Sequence, residues 1–289
     1  MHVTVLGAGT MGAGIAGLCA RSGHETWLRD VDPEALDAAR DRIAATYDDA
    51  VERGLLADAE RHEALARVEA TTDLEEAAAD ATLVVEAVPE RLDLKREVAE
   101  EAAAAAPAAA TLATNTSSLS VTAVAAALDR PERFVGLHFF NPPHAMQLVE
   151  VVRGERTADS TASFAVDFVE GLDRTPIVVD DTPGFATSRL GVALGAEAMR
   201  MVEQGVAAPA DIDRAMELGY NHPVGPLELT DVVGLDVRLD VLEGLREELG
   251  ERFRPPQVLR RKVRAGKLGK KTGEGFYIWE GDEPLGRDR

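Results

Sequence analysis

Three glycines within the first twelve residues constrain this chain more than any other feature. A β-branched run at residues 2–6 (HVTVL) leads into Gly7-x-Gly9-x-x-Gly12, and an Ala-, Gly- and Leu-rich stretch continues to Arg21. That order specifies a strand, a tight turn and a helix packed closely on the strand. A second strand reads at Glu25–Leu28 and ends at Asp30, so a β-α-β unit of about 30 residues opens the chain. Gly7 permits the turn, Gly9 lets backbone approach a pyrophosphate, and Gly12 lets the helix close on the strand. Ala8, Thr10 and Met11 complete the turn, where free N–H groups at the helix start face an anion. Asp30 stands at the position that accepts hydrogen bonds from both ribose hydroxyls. A 2′-phosphate there meets like charge, so the cofactor expected is NAD rather than NADP. Arg29 precedes the acid and points to the opposite face of its strand. The chain is short for a flavoprotein of this design.

Further strands read at residues 82–88, 111–113, 134–140, 148–152 and 176–179. Apolar residues at three- and four-residue intervals predict a helical excursion over residues 33–67. The alanine-rich run 102–110 reads as a solvated helix interrupted near Pro107. Turn residues cluster at Asp180-Asp181-Thr182-Pro183-Gly184, and strand patterning stops there. Beyond it helices read at 190–201, 210–218, 234–249 and 256–265. The expected fold class is therefore α/β: a doubly wound Rossmann-type domain over residues 1–182, followed by an all-α domain over 183–289.

Composition narrows the function classes. The formal net charge is −20, which disfavours nucleic acid and anionic lipid as partners. Only five of the 31 basic residues are lysine, against 51 acidic residues, a balance expected of a halophilic protein. No apolar run reaches the length of a membrane span, and the N-terminus carries no targeting pattern, so the cytoplasm is expected. The single cysteine, Cys19, excludes a disulfide framework or a cysteine metal cluster; no metal site is expected.

His138 lies inside the apolar strand VGLHFF, where a lone histidine is ordinarily a satisfied core residue. Two neighbours alter that reading. Asn141-Pro142-Pro143 makes a turn, and the next strand, LVEVV, carries Glu150 at a position where an unpaired carboxylate is costly. A hairpin through the turn sets Glu150 beside His138, the arrangement in which a carboxylate orients an imidazole acting as a general base. Such a histidine takes the proton of a secondary alcohol while hydride leaves the same carbon.

These segments together resemble the L-3-hydroxyacyl-CoA dehydrogenases. The resemblance runs from Val3 to Trp279 through GAGTMG (7–12), VVEAVPERLDLK (84–95), ATNTSSL (113–119), GLHFFNPPHAMQLVEVV (136–152), TPGF (182–185), HPVGPLELTDVVGLD (222–236) and GKKTGEGFY (269–277). It implies NAD-dependent oxidation of a 3-hydroxyacyl-CoA such as 3-hydroxybutyryl-CoA, within fatty-acid metabolism. His138 is then the base and Glu150 its partner. Ser117 hydrogen-bonds the substrate 3-oxygen beside the nicotinamide. Asn141, Glu90, Lys95 and Lys271 match positions lining the NAD site, Lys95 also serving the substrate. The resemblance further implies a homodimer through the helical domain, whose apolar helices are too extensive to bury among themselves.

One position departs from the family pattern. The asparagine usual three residues after the phenylalanine of PGF is Ser188 here, a shorter donor at a substrate-contact position. Arg40, Arg42 and Arg53 on the helical excursion are the cations available for CoA phosphates. The departure keeps a free 3-hydroxy acid open as substrate, and a catalytically silent NAD-binding sensor is the reading from another class. The complete set of Ser117, His138 and Glu150 argues against the sensor.

Overall fold

A computed structural model describes residues 1–285. The chain divides into two compact units, Met1–Thr182 and Pro183–Arg289.

The first unit is built on eight strands: β1 (His2–Leu6), β2 (Glu25–Arg29), β3 (Val68–Thr71), β4 (Leu83–Glu86), β5 (Thr111–Thr114), β6 (Phe134–Phe139), β7 (Leu148–Arg153) and β8 (Thr175–Asp180). Their order is β3-β2-β1-β4-β5-β6-β7-β8. All neighbours pair in parallel except β6 and β7, which are antiparallel. The chain therefore winds outward from β1 to β3 and returns to β4 on the other side. The C-terminal ends of β1 and β4 flank the switch point where such sheets open a ligand crevice. Val3, Val5, Val85, Leu112, Val135, Leu137 and Val151 are buried, the near-continuous apolar run of strands covered on both faces.

Helices α1 (Thr10–Arg21), α2 (Pro33–Glu52), α3 (Asp58–Ala66), α4 (Leu74–Ala78), α5 (Leu92–Ala105), α6 (Val121–Ala125) and α7 (Asp159–Gly171) complete this unit. Small residues let α1 approach the sheet closely, with Gly12, Ala13, Ala16, Gly17 and Ala20 all buried. The expected excursion consists of α2 and α3. Asp32 caps α2 by accepting from the Glu34 N–H at 3.0 Å, with Pro33 at the first helical position. Leu36, Ala39, Ile43, Tyr47 and Ala50 form its buried face, and the Tyr47 hydroxyl donates to the Gly17 carbonyl at 2.5 Å.

Two readings change. The alanine run is not simply solvated: α5 stops at Ala105 ahead of Pro107, and Ala102, Ala106 and Ala110 are buried. Alanine carries no amphipathic contrast, so the sequence does not reveal the buried side. β3 is an added edge strand whose four residues, VEAT, are too few to show a period.

The second unit holds α8 (Thr187–Glu203), α9 (Pro209–Tyr220), α10 (Pro226–Val233), α11 (Leu235–Leu249) and α12 (Gln257–Arg264). Val192, Ala196, Met199, Leu227, Leu235, Leu242 and Leu259 form its core. A small antiparallel pair, β9 (Ile278–Glu280) with β10 (Glu283–Leu285), accompanies these helices. Two buried carboxylates staple the unit. Asp213 accepts from the N–H groups of Leu227 and Glu228 at the start of α10 and from the Tyr277 hydroxyl at 2.7 Å. Asp231 accepts from the N–H groups of Phe276 and Tyr277 and from the Trp279 indole. The segment GKKTGEGFY thus has a packing role: a Cβ on Gly275 would lie 2.1 Å from the Asp231 carboxylate.

Candidate active site

The glycine fingerprint lies at the C-terminal edge of the sheet, and its geometry gives each glycine a cause. Gly7 has φ +102°, and a Cβ there would sit 2.7 Å from the Ala87 carbonyl just past β4. A Cβ on Gly12 would sit 1.7 Å from the Gly7 carbonyl, so the turn closes only without one. Gly9, by contrast, has nothing within 4 Å and leaves space above the helix start. No side chain caps α1 and no acid lies in its first turn, so its N-terminal N–H groups and dipole are available to an anion. Asp30 follows β2, held by the Ala8 N–H at 2.6 Å and the Asp32 N–H at 3.1 Å. A carboxylate has about four lone-pair sites, so acceptor capacity remains.

On β6, three strands along from β1, His138 is directly opposite Glu150 of β7. Nδ1 of the imidazole lies 2.7 Å from a Glu150 carboxylate oxygen, Oε2. Glu150 is fully buried and His138 is 6% exposed, so the pair is shielded from bulk water at its Nδ1 side. The Phe140 ring packs against the imidazole with centroids 4.4 Å apart. The loop leaving β6 carries Asn141, exposed, and Pro142, whose peptide bond is cis.

Between these two features, the loop after β5 carries Ser117. One oxygen of Glu90, Oε1, accepts from the Thr116 hydroxyl (2.5 Å), the Ser117 N–H (3.1 Å), the Ser118 N–H (3.2 Å) and the Ser118 hydroxyl (3.0 Å). The far end of this loop is fixed by Asp181, which accepts from the Ser120 hydroxyl and the N–H groups of Val121 and Thr122. The Ser117 side chain is thereby exposed on an anchored loop. Burial opposes charge on Glu90, but the Lys95 ammonium and the donors of Thr116, Ser118 and Ser117 outweigh it and hold the carboxyl below its usual range.

Lys95 is where expectation and structure part. It is neither a solvated charge nor a residue open to a ligand, since its side chain is 0% exposed. Its ammonium is shared between the Glu86 oxygens (2.8 and 3.1 Å), the Val88 carbonyl (3.3 Å) and Glu90 Oε2 (3.3 Å). Glu86, at the end of β4, also accepts from the Thr114 hydroxyl at 2.6 Å and the Val88 N–H at 2.7 Å. A buried cation persists only when its donors are satisfied in this way.

A cleft of about 700 Å3 runs between α1, α2 and the loop of Asn141 to Ala145. Arg42 and Arg53 line it together with Arg21, while Ala13, Leu18, Ile43 and Pro143 give it an apolar wall. Arg40 is exposed on α2 and does not line it. In the second unit, Ser188 is half-buried in the first turn of α8, and Lys271 pairs with Asp236 at 2.6 Å.

Comparison with known proteins fixes the family. Residues 2–182 match the 3-hydroxyacyl-CoA dehydrogenase NAD binding domain, and residues 184–279 match the 3-hydroxyacyl-CoA dehydrogenase C-terminal domain. The chain belongs to the 3-hydroxyacyl-CoA dehydrogenase family. It is 43% identical to a probable 3-hydroxybutyryl-CoA dehydrogenase of Deinococcus radiodurans over 96% of this chain and 99% of that protein. The crystal structure of (S)-3-hydroxybutyryl-CoA dehydrogenase from Ralstonia eutropha superposes with TM-score 0.93 at 38% identity, covering 96% and 99% of the two chains. That of FadB2 from M. tuberculosis gives 0.92 at 40% identity over 96% and 98%.

The cofactor of this 3-hydroxyacyl-CoA dehydrogenase is NAD, and its own residues fit that group. The uncapped α1, the space over Gly9 and the held Asp30 carboxylate form a cradle for a dinucleotide with a free 2′-hydroxyl. Several contributors escape a reading from sequence alone. Glu86 had a usable signal, because an acid at the end of the apolar run LVVE poses the same problem as Glu150 in LVEVV. Asp181 is masked by lying in an obvious turn, and Arg21 by belonging to the first helix rather than the excursion.

Proposed function

We propose that this dehydrogenase oxidises an L-3-hydroxyacyl-CoA by proton transfer to His138, with Glu150 fixing the imidazole. The observation that carries this reading is the buried 2.7 Å contact from Nδ1 to Glu150. Nδ1 is committed to the carboxylate, so Nε2 is the atom that takes the 3-hydroxyl proton. Glu150 then stabilises the imidazolium, and the same proton is returned in the reverse direction. NAD, when bound, supplies the hydride acceptor for the C3 hydrogen. The Ser117 hydroxyl donates to the 3-oxygen from a loop anchored at both ends, so little ordering is needed at the moment of reaction.

Gly7, Ala8, Gly9, Thr10, Met11 and Gly12 hold the pyrophosphate, Asp30 the adenine ribose, and Asn141, Glu90 and Lys271 the remainder of the cofactor. The α1–α2 cleft takes the CoA moiety, its apolar wall meeting pantetheine and Arg42 and Arg53 meeting phosphates. Ser188 touches the acyl end of the substrate. A short acyl chain, as in 3-hydroxybutyryl-CoA, fits the names of relatives 43% and 38% identical to this chain. Leu190, Leu229, Val232, Val233 and Val237 remain exposed on α8, α10 and α11, which supports a homodimer through the second unit. The compartment proposed is the cytoplasm of a salt-rich cell, on the strength of the carboxylate excess and the arginine-dominated basic set.

Initial rates with acetoacetyl-CoA and with free acetoacetate, each with NADH, test the substrate class. A strong preference for the thioester is expected. Equal rates would replace it with a free 3-hydroxy acid.

A further inference from the structure

We infer that Lys95 is a positioning residue for Ser117, acting through Glu90, and that Glu86 is the counter-charge that leaves the cluster one net negative charge. The inference rests on the reading of Ser117 as the substrate donor. Lys95 has no exposed surface, so its effect on a ligand must pass through what it touches. What it touches is two carboxylates of unequal situation. Glu86 is buried in β4 and tied to Thr114 and Val88, all part of the sheet edge. Glu90 has a side chain 36% exposed, and its other oxygen gathers four donors of the loop 116–118.

Those four donors require an ionised Glu90. Protonation would place an O–H among groups that are themselves N–H and O–H donors and release the loop that presents Ser117. Without Lys95, two like-charged carboxylates would face one another and hold one proton between them; whatever share of that proton falls on Glu90 loosens the loop. Lys95 therefore keeps both carboxylates charged, and Glu86, as the buried counter-charge, holds the ammonium in place beside Glu90 Oε2.

Neutralising each member of the pair, alone and together, separates this role from simple packing. Lys95→Met raises the negative charge by one, and adding Glu86→Gln restores it without restoring the lysine. Activity is read in the reductive direction, with acetoacetyl-CoA and NADH, alongside the NADH dissociation constant and a near-ultraviolet spectrum for folding. Lys95→Met should lower kcat about 10²-fold, the scale of a misplaced donor, and NADH affinity by less than about tenfold, since Glu90 also faces the cofactor in the proposed site. Its acid limb should move toward neutral pH as Glu90 becomes easier to protonate. The double variant should recover kcat at least about tenfold and return the acid limb toward its original place. Glu86→Gln alone should cost about threefold and should not move the acid limb upward.

A folded double variant no faster than Lys95→Met overturns the inference, as does a loss of NADH affinity parallel to the loss of kcat. If Lys95→Met does not fold, Glu86→Gln and the double variant decide: an upward acid limb in Glu86→Gln, or a double variant that folds with kcat still about 10²-fold down, overturns it. Ser117→Ala is the reference. Unchanged kcat there refutes the role of Ser117 itself, whatever Lys95 does.

Discussion

His138 and Glu150 stand opposite one another where the sheet changes from parallel to antiparallel pairing, with Nδ1 2.7 Å from Oε2. Antiparallel register sets opposed side chains on one face of the sheet within reach of each other, and both residues here are buried by the same strands. In the proposed mechanism the carboxylate fixes which imidazole nitrogen bears the proton. Glu150→Gln should lower kcat about 10²–10³-fold while NADH binds within threefold of normal, because an amide can present its NH2 to Nδ1 and favour the wrong tautomer. His138→Ala should abolish turnover with NADH binding intact. Stopped-flow turnover and fluorescence titration of NADH check both; near-normal turnover in either variant removes the dyad from the chemistry.

Asp30 is held by the N–H groups of Ala8 and Asp32, so it links the glycine turn to the end of β2, and substitution tests the ribose role proposed for it. Asp30→Ala should weaken NAD and narrow the preference over NADP by at least about tenfold, equivalent to ~1.4 kcal/mol of lost discrimination. Ratios of kcat/KM for the two cofactors measure it. Unchanged selectivity would contradict the ribose assignment.

The parts of the site that could be read from sequence are those where one residue violates its local pattern. Glycines in a strand-to-helix turn, a histidine in VGLHFF and a glutamate in LVEVV each pose a problem that only a ligand or a partner solves. Lys95 poses none, because RLDLKREVAEE reads as an ordinary polar helix face. Its burial is decided by where β4 ends and by how α5 packs against β4 and β5, which are facts of tertiary structure. The cleft likewise depends on the turn at Pro142–Pro143 meeting α1 and α2, three segments far apart in sequence. Short elements such as β3, α4 and β9 are invisible for a plainer reason, since three to five residues cannot display a period.

Ser188 occupies the first turn of α8, half-buried. A serine hydroxyl reaches less far than the amide usual at this position in the family. Ser188→Asn should change kcat with acetoacetyl-CoA by about threefold or more and leave NADH affinity alone. Identical kinetics across an acyl series from C4 to C16 would put this side chain outside the substrate site.

Arg238, early in α11, lies outside the proposed site, and burial is what acts on its guanidinium. It is 8% exposed, its Nε has no hydrogen-bond partner among the described residues, and desolvation pushes its pKa down to about 10. A cation whose folded pKa is depressed costs stability at every pH below that value, and the cost fades only as the pH rises above about 10 toward the usual guanidinium range. At neutral pH the penalty is on the order of 3 kcal/mol. A Cβ on Gly191 of α8 would approach one guanidinium nitrogen at 3.5 Å. Arg238→Met keeps the length of the side chain and removes the charge, so it should raise the urea midpoint of unfolding at pH 7 and gain about 1–3 kcal/mol. At pH 11 the gain should shrink, because the wild-type guanidinium then releases its proton on folding. Equilibrium unfolding at the two pH values measures both effects. A lower midpoint for Arg238→Met would mean that the guanidinium is paired after all, and dilution across the monomer–dimer range would then show whether a second copy of the chain supplies the acceptor.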